Sequence, residues 1–212
     1  MKTALRILLG IIILIVVVFI IAGLMGDKTY DVNRSVQIEA PPEVVFPFVV
    51  NLKKHSDWSP WAKRDTSMTN EYVGNMGEVG SIHKWEGDIS GVGEQEITVI
   101  EPYKRVETEL RFYEPWEDEA DAYIDLEPNQ RGTEVTWGFS GENSFMQRAM
   151  FTLMGMDLDE AVGKDYEEGL SSLKSLAEES YEQIKAAKLA EEKEEMLEES
   201  LDEGGNDTSS DN

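Results

Sequence analysis

The chain has no cysteine and only two histidines, His55 and His83. Without thiols there can be no disulfide, no thiolate zinc or iron–sulfur centre and no cysteine nucleophile. Two imidazoles are too few for a multi-histidine metal centre. Basic charge is scarce as well, with 19 Lys and Arg against 43 Asp and Glu and a formal net charge of −24. Nucleic-acid binding needs a basic footprint to neutralise phosphates, so no nucleic-acid partner is expected. The same deficit argues against a polybasic grip on anionic lipid. No nucleophile elbow, phosphate loop or dinucleotide fingerprint is present, and the Gly-x-x-Gly repeats do not open a helix. No cofactor is expected. The acidic clusters at Glu117, Asp118 and Glu119 and at Asp157, Asp159 and Glu160 lack the ligand spacing of a calcium loop, so no metal is expected either.

What the chain does have is unevenly distributed. Residues 7–25 carry no charge and are mostly Ile, Leu and Val. As a helix this run spans about 28 Å, close to the hydrocarbon thickness of a bilayer. It has no polar stripe, as a core helix would. It ends Ala22-Gly23-Leu24-Met25-Gly26, a poor match to a signal-peptide cleavage site. Residues 1–26 therefore read as an uncleaved, single-pass membrane anchor. Lys2 and Arg6 precede the span and Lys28 and Arg34 follow it, nearly a tie. The free amino group and the short overhang favour an inside N-terminus and an extracytoplasmic domain.

Residues 27–177 read as one folded domain. Tyr30, Val32, Val36 and Ile38 alternate with polar residues as in a half-buried strand, with Arg34 the exception on the apolar face. Pro41, Pro42 and Glu43 end that strand and suit the first turn of a helix over 44–52. His55 falls in an exposed loop, followed by the turn Trp58-Ser59-Pro60-Trp61. Six strands follow, at 68–72, 81–86, 93–100, 105–113, 119–127 and 133–140. Their connections are short and one face is acidic, as in an antiparallel meander covered on one side. Residues 145–154 form a Met-rich helix that Gly155 breaks, and 157–177 a long amphipathic helix. The class is α+β, with a long helix laid against a curved antiparallel sheet. Residues 178–212 hold 13 acidic and 3 basic residues. Helix can continue there to about Glu203, and 204–212 should be disordered. This solvated extension is also a candidate docking tail for a protein partner.

The stretch Ile38-Glu39-Ala40-Pro41-Pro42-Glu43-Val44-Val45-Phe46 resembles the opening signature of the SRPBCC superfamily. That superfamily has the helix-grip fold of START lipid-transfer domains, the birch-pollen allergen family and polyketide cyclases. The resemblance continues through Trp58-Ser59-Pro60-Trp61, Gly80 with Trp85-Glu86-Gly87, Thr133-Glu134-Val135-Thr136-Trp137 with Gly141, and the run from Gly163 to Leu170. It covers about residues 30–177 and looks most like the membrane-anchored bacterial branch labelled polyketide cyclase/dehydrase-like. It implies a deep hydrophobic cavity between the long helix and the sheet, without naming a ligand.

Residues on or beside inward faces are the candidate lining of that cavity: Trp58, Trp61, Trp85, Phe112, Trp137, Phe139, Met150 and Met154. Apolar pockets with a few polar groups suit lipid-like ligands. His83 shares strand parity with Trp85, and Gln95 shares it with Ile97 and Val99. These two, with Arg34, are candidates to anchor a ligand head group or to move protons; a structural hydrogen bond is the competing reading for each. Trp116, in a predicted hairpin tip, is a candidate for dipping into a membrane interface. The expected function is a membrane-tethered module that binds a hydrophobic small molecule or lipid. A cyclase or aromatase-like enzyme acting in the same cavity is the alternative.

Overall fold

A computed structural model describes residues 2–115 and 117–205, with side-chain surroundings through Glu199. Trp116 and residues 206–212, to which the sequence assigned a hairpin tip and a disordered end, lie outside the described residues.

The elements run α1 (Lys2–Met25), β1 (Thr29–Ile38), α2 (Pro42–Val49), a 3-10 turn (Leu52–Lys54), α3 (His55–Trp58) and α4 (Pro60–Arg64). Then come β2 (Thr69–Val73), β3 (Ile82–Gly87), β4 (Gly91–Glu101), β5 (Arg105–Glu114), β6 (Asp118–Asn129) and β7 (Gly132–Glu142), followed by α5 (Phe145–Met154) and α6 (Leu158–Gly205). Strands β2 to β7 form the expected antiparallel meander. β1 closes the far edge against β7, giving the order β1-β7-β6-β5-β4-β3-β2. The sheet curves around α6 in the helix-grip arrangement of an α+β fold.

Strand faces follow the alternation. Val106 and Thr108 on β5, Ala120, Ala122, Ile124 and Leu126 on β6, and Val135 and Trp137 on β7 are buried. Strand β4 departs from this rule. Val99, inward by parity with Gln95 and Ile97, is exposed, because the pairing with β5 slips between Ile97 and Val99. One extra residue in a strand reverses the face of everything beyond it.

α5 opens with a capping box: Ser144 Oγ accepts from Gln147 N at 3.3 Å, and Gln147 Oε1 accepts from Ser144 N at 2.7 Å. Gly155, with φ 62°, supplies the left-handed residue that ends it. Asp157 Oδ1 then accepts from the amides of Asp159 (2.9 Å) and Glu160 (3.2 Å) and starts α6. Tyr166, Gly169, Leu170, Leu173 and Ala177 form the buried stripe of α6. Beyond Tyr181 every residue through Glu199 is exposed. The helix includes Gly204 and Gly205, where composition predicted disorder.

The packed core occupies one end of the grip. Val45, Phe46, Val49 and Leu52 join Leu170, Leu173 and Ala177 of α6 against Ile38, Ile97, Val106, Ile124, Leu126 and Val135. Within α1 only Ala22 and Gly23 are buried. Among the described residues α1 is the one helix long and apolar enough to cross a membrane.

Candidate functional site

At the other end of the grip the sheet and α6 do not close on each other. A half-enclosed cavity of about 350 Å³ remains, within the range of small-molecule sites. Its sheet wall is a diagonal of inward residues: His83 and Trp85 on β3, Gln95 on β4, Leu110 and Phe112 on β5, Ala122 on β6 and Trp137 on β7. Tyr166 of α6 and the α3–α4 segment, with His55, Trp58 and Trp61, complete it. Small residues make the room. Ala122 stands where a larger side chain would intrude, and Gly93 leaves space for the Trp85 indole.

Aromatic packing fixes the walls. Trp137 and Tyr166 stack with ring centroids 4.0 Å apart, and Trp58 and Trp61 meet Trp137 edge-on at 4.8 and 5.6 Å. Trp85 meets Phe112 at 5.9 Å, and His83 stacks on Tyr72 at 4.8 Å. Such pairs are worth about 1 kcal/mol each beyond burial. The indole N–H groups are satisfied internally: Trp58 Nε1 donates to Phe48 O (3.2 Å) and Trp85 Nε1 to Ser90 O (3.3 Å). What these two present to the cavity is apolar ring surface.

Polar groups are few. Gln95 Nε2 donates to Thr108 Oγ1 at 2.8 Å. His83 Nε2 lies 2.7 Å from Asn70 Oδ1. His55, expected in an exposed loop, is instead 8% exposed, and its Nε2 donates to Val49 O at 2.7 Å. The short α3 helix turns the ring inward against Trp58, 4.9 Å away. Burial pushes both imidazoles down to about 4 from 6.5. Both are therefore neutral at pH 7 and poor proton acceptors there, which suits orienting a bound group better than general-base work.

The cavity rim is held by a carboxylate. Asp65, just after α4, accepts from Ser67 N (3.2 Å), Ser67 Oγ (2.5 Å), Ile89 N (3.0 Å) and Ser90 N (2.8 Å). The Ser67 hydroxyl, first, and the Ser90 and Ile89 amides hold it well below the usual carboxylate range. This ties α4 to the β3–β4 turn, whose Ile89 and Ser90 border the cavity.

Seven of the residues named from sequence thus share one cavity: Trp58, Trp61, His83, Trp85, Gln95, Phe112 and Trp137. Three others lie elsewhere. Phe139 packs on Tyr30 (4.9 Å) and against the edge of Tyr166 (5.9 Å), outside the lining. Met150 and Met154 are exposed on α5, which lies beside α1 rather than over the concave face. Met-rich composition marks an adaptable surface but does not say which one. Arg34 does not enter the cavity. Its guanidinium bridges β1 to α6 through Asp159 (2.9 Å) and Glu167 (3.0 Å), which raise its pKa. Tyr166 and Asn70 were missed as lining residues. Tyr166 had a signal, a phenol on the apolar stripe between Gly163 and Gly169, and Asn70 had none.

The sequence profile described as "Polyketide cyclase / dehydrase and lipid transport" matches residues 29–178. No curated protein matches the chain. Among solved structures, a protein of unknown function from Staphylococcus aureus superposes with a TM-score of 0.54 at 12% identity, covering 74% of this chain and 98% of its own. A Mesorhizobium loti protein gives 0.52 at 18%, covering 69% and 96%. Ara h 8.0201 gives 0.50 at 11%, covering 70% and 97%. At these identities the likeness is one of fold. The profile match takes in every strand of the sheet and the packed half of α6, and the chain belongs to the polyketide cyclase/dehydrase and lipid-transport family of the SRPBCC superfamily.

Proposed function

We propose that the protein is a membrane-tethered binding module that holds a hydrophobic small molecule or lipid in the helix-grip cavity. The observation that carries this reading is the cavity itself: aromatic ring faces for an apolar body, with Gln95, Asn70 and the neutral His83 available to orient a single polar end. In this reading residues 1–26 are the anchor, 27–177 the binding domain and 178–212 a solvated extension. The N-terminus lies inside and the domain on the extracytoplasmic face. Gly26, Asp27 and Lys28 are the only residues between α1 and β1, so the domain sits at the bilayer surface. Its acidity is repelled by anionic head groups, so the apolar helix rather than surface charge holds it there.

The test is native mass spectrometry of the full chain in lipid nanodiscs, with extraction and identification of any bound species. The expected result is a non-covalent adduct of a fatty acid, phospholipid or other apolar compound, retained or taken up when supplied. A chain that neither retains nor acquires any such species overturns the proposal.

A further inference from the structure

Strands β1 and β7 pair antiparallel with Thr29 opposite Glu142. The chain entering β1 and the chain leaving β7 therefore meet at one corner of the sheet. α1 enters there and α5 leaves there. Asn143 closes the corner: its amide donates to Lys28 O (2.8 Å) and its side chain to Asp27 O (3.1 Å). α5 consequently packs against the last two turns of α1. The Phe145 ring sits so close over Gly23 that a Cβ there would lie 2.6 Å from it, and it meets Phe19 edge-on at 6.3 Å. Arg148 and Thr152 approach Gly26 equally closely.

These contacts divide α5 into three sides. Phe145, Arg148 and Thr152 face α1. Gln147 turns to the domain, donating to Asp118 Oδ2 at 2.8 Å. The remaining side consists of Met146, Met150, Leu153 and Met154, which are 58%, 36%, 51% and 65% exposed. At 100° per residue these four share one face, and no polar residue interrupts it.

We infer that this Met-rich face of α5 is buried in the acyl-chain and glycerol region of the leaflet from which α1 emerges, so that the domain is held by two helices instead of one. The inference rests on the reading that α1 spans a bilayer. Depth follows from the packing. Phe19 lies six residues before Met25, about 9 Å into the apolar span at 1.5 Å per residue. Phe145, packed on Phe19 and Gly23, shares that depth, and Thr152 against Gly26 brings the last turn of α5 up to the end of the span, a tilt that fits an interfacial helix about 5–10 Å below the head groups. Charge agrees with this placement. The exposed face carries none; Arg148, whose Cβ lies against Gly26, folds its guanidinium over the Phe145 ring at 5.5 Å, away from that face. The thioethers suit a disordered medium because they adapt to its shape.

The absence of native cysteine makes the test direct. Single variants Met146→Cys, Leu153→Cys and Met154→Cys of the full chain are spin-labelled in phosphatidylcholine vesicles. Val16→Cys in α1 reports on the span, and Glu134→Cys on the wet face of β7 reports on water. Collision with oxygen and with a water-soluble nickel chelate is measured at each. The expected result is that oxygen collision exceeds nickel collision at all three α5 labels, most strongly at Met146, the deepest of them, as it does at Val16, while Glu134 shows the reverse. If Val16 behaves as lipid-exposed and the α5 labels collide with nickel, the α5 proposal fails and the tether stands. If Val16 itself is open to nickel, the tether fails and takes this inference with it. Labels on α5 shielded from both reagents overturn it in favour of a second copy or another protein covering the face.

Discussion

His55 and His83 are two residues whose burial couples stability to acid. For His55 the folded value of about 4 lies below the ordinary 6.5. Between those values the unfolded chain binds a proton that the folded chain refuses. Stability from this residue is therefore complete above about pH 6.5 and is lost as pH falls toward 4, by about 3 kcal/mol. Protonation of carboxylates over the same range relieves self-repulsion in a chain of this charge, so the wild-type trend mixes two effects. The difference between wild type and His55→Gln isolates the histidine. Thermal melts at pH 7 and pH 4.5 should show the variant losing less stability on acidification than the wild type. Ala122 gives a second residue-scale expectation. Ala122→Phe directs a ring into the cavity. It should abolish ligand uptake in nanodiscs by native mass spectrometry while cooperative unfolding is retained, because the new side chain fills a void instead of crowding a packed core.

Among the elements, α6 decides how closely the grip shuts, and two of its glycines test this differently. A Cβ at Gly169 would lie 2.7 Å from Trp137 Cζ3 and 3.2 Å from Pro60 Cδ. Both neighbours are rigid rings, and Trp137 is stacked on Tyr166. Gly169→Ala should therefore push α6 off the sheet at a cost of about 1–3 kcal/mol, despite the better helix propensity of Ala. The nearest atoms to a Cβ at Gly163 belong to the Arg34 guanidinium, the far end of a flexible side chain. Gly163→Ala should lose less than Gly169→Ala, because Arg34 can move, giving up part of its half-exposed bridge to Asp159 and Glu167 while the helix gains propensity. Denaturant titration of both variants measures the contrast; equal losses would mean that neighbour rigidity does not control the α6 contact. On the opposite side of the sheet, Arg111 sits among Glu94, Glu96 and Glu109, and Arg105 between Glu107 and Asp125. Each scarce cation is shared by several acids, which is how β4, β5 and β6 tolerate so acidic a face.

For the whole molecule, the distal half of α6 contributes charge without packing. Its described side chains beyond Tyr181 are exposed, Ile184, Leu189 and Met196 among its many acids, and its Glu-, Ala- and Lys-rich composition sustains it by helix propensity. A chain truncated after Lys185 should keep its melting temperature and denaturant m-value, since that segment exposes little new surface on unfolding. A clear fall in either would mean that the extension packs on the domain. At this scale much was legible in advance: the apolar span, seven strands, the Met-rich helix, the long helix and the α+β grip. The misses share one cause. The β4 bulge changes the count of residues opposite a partner strand. The burial of His55 depends on Trp58 and on a carbonyl six residues away; for Arg34 the structural reading applies, with partners 125 and 133 positions along the chain that the sequence could not name.

The sequence by itself determined the long helices and the seven strands, most of the strand faces that stay wet, and which segment is apolar enough for a bilayer. Those properties are local, because a period of two or of 3.6 residues encodes a face directly. Tertiary structure alone decided what each face meets. It set Tyr166 beside Trp137 to wall a cavity, drew His55 inward, sent Arg34 to α6 and packed α5 on α1 with its methionines turned outward. Each outcome follows from contacts between residues far apart in the chain, and the pairing of β1 with β7 that brings α1 and α5 together leaves no trace in the pattern of either helix.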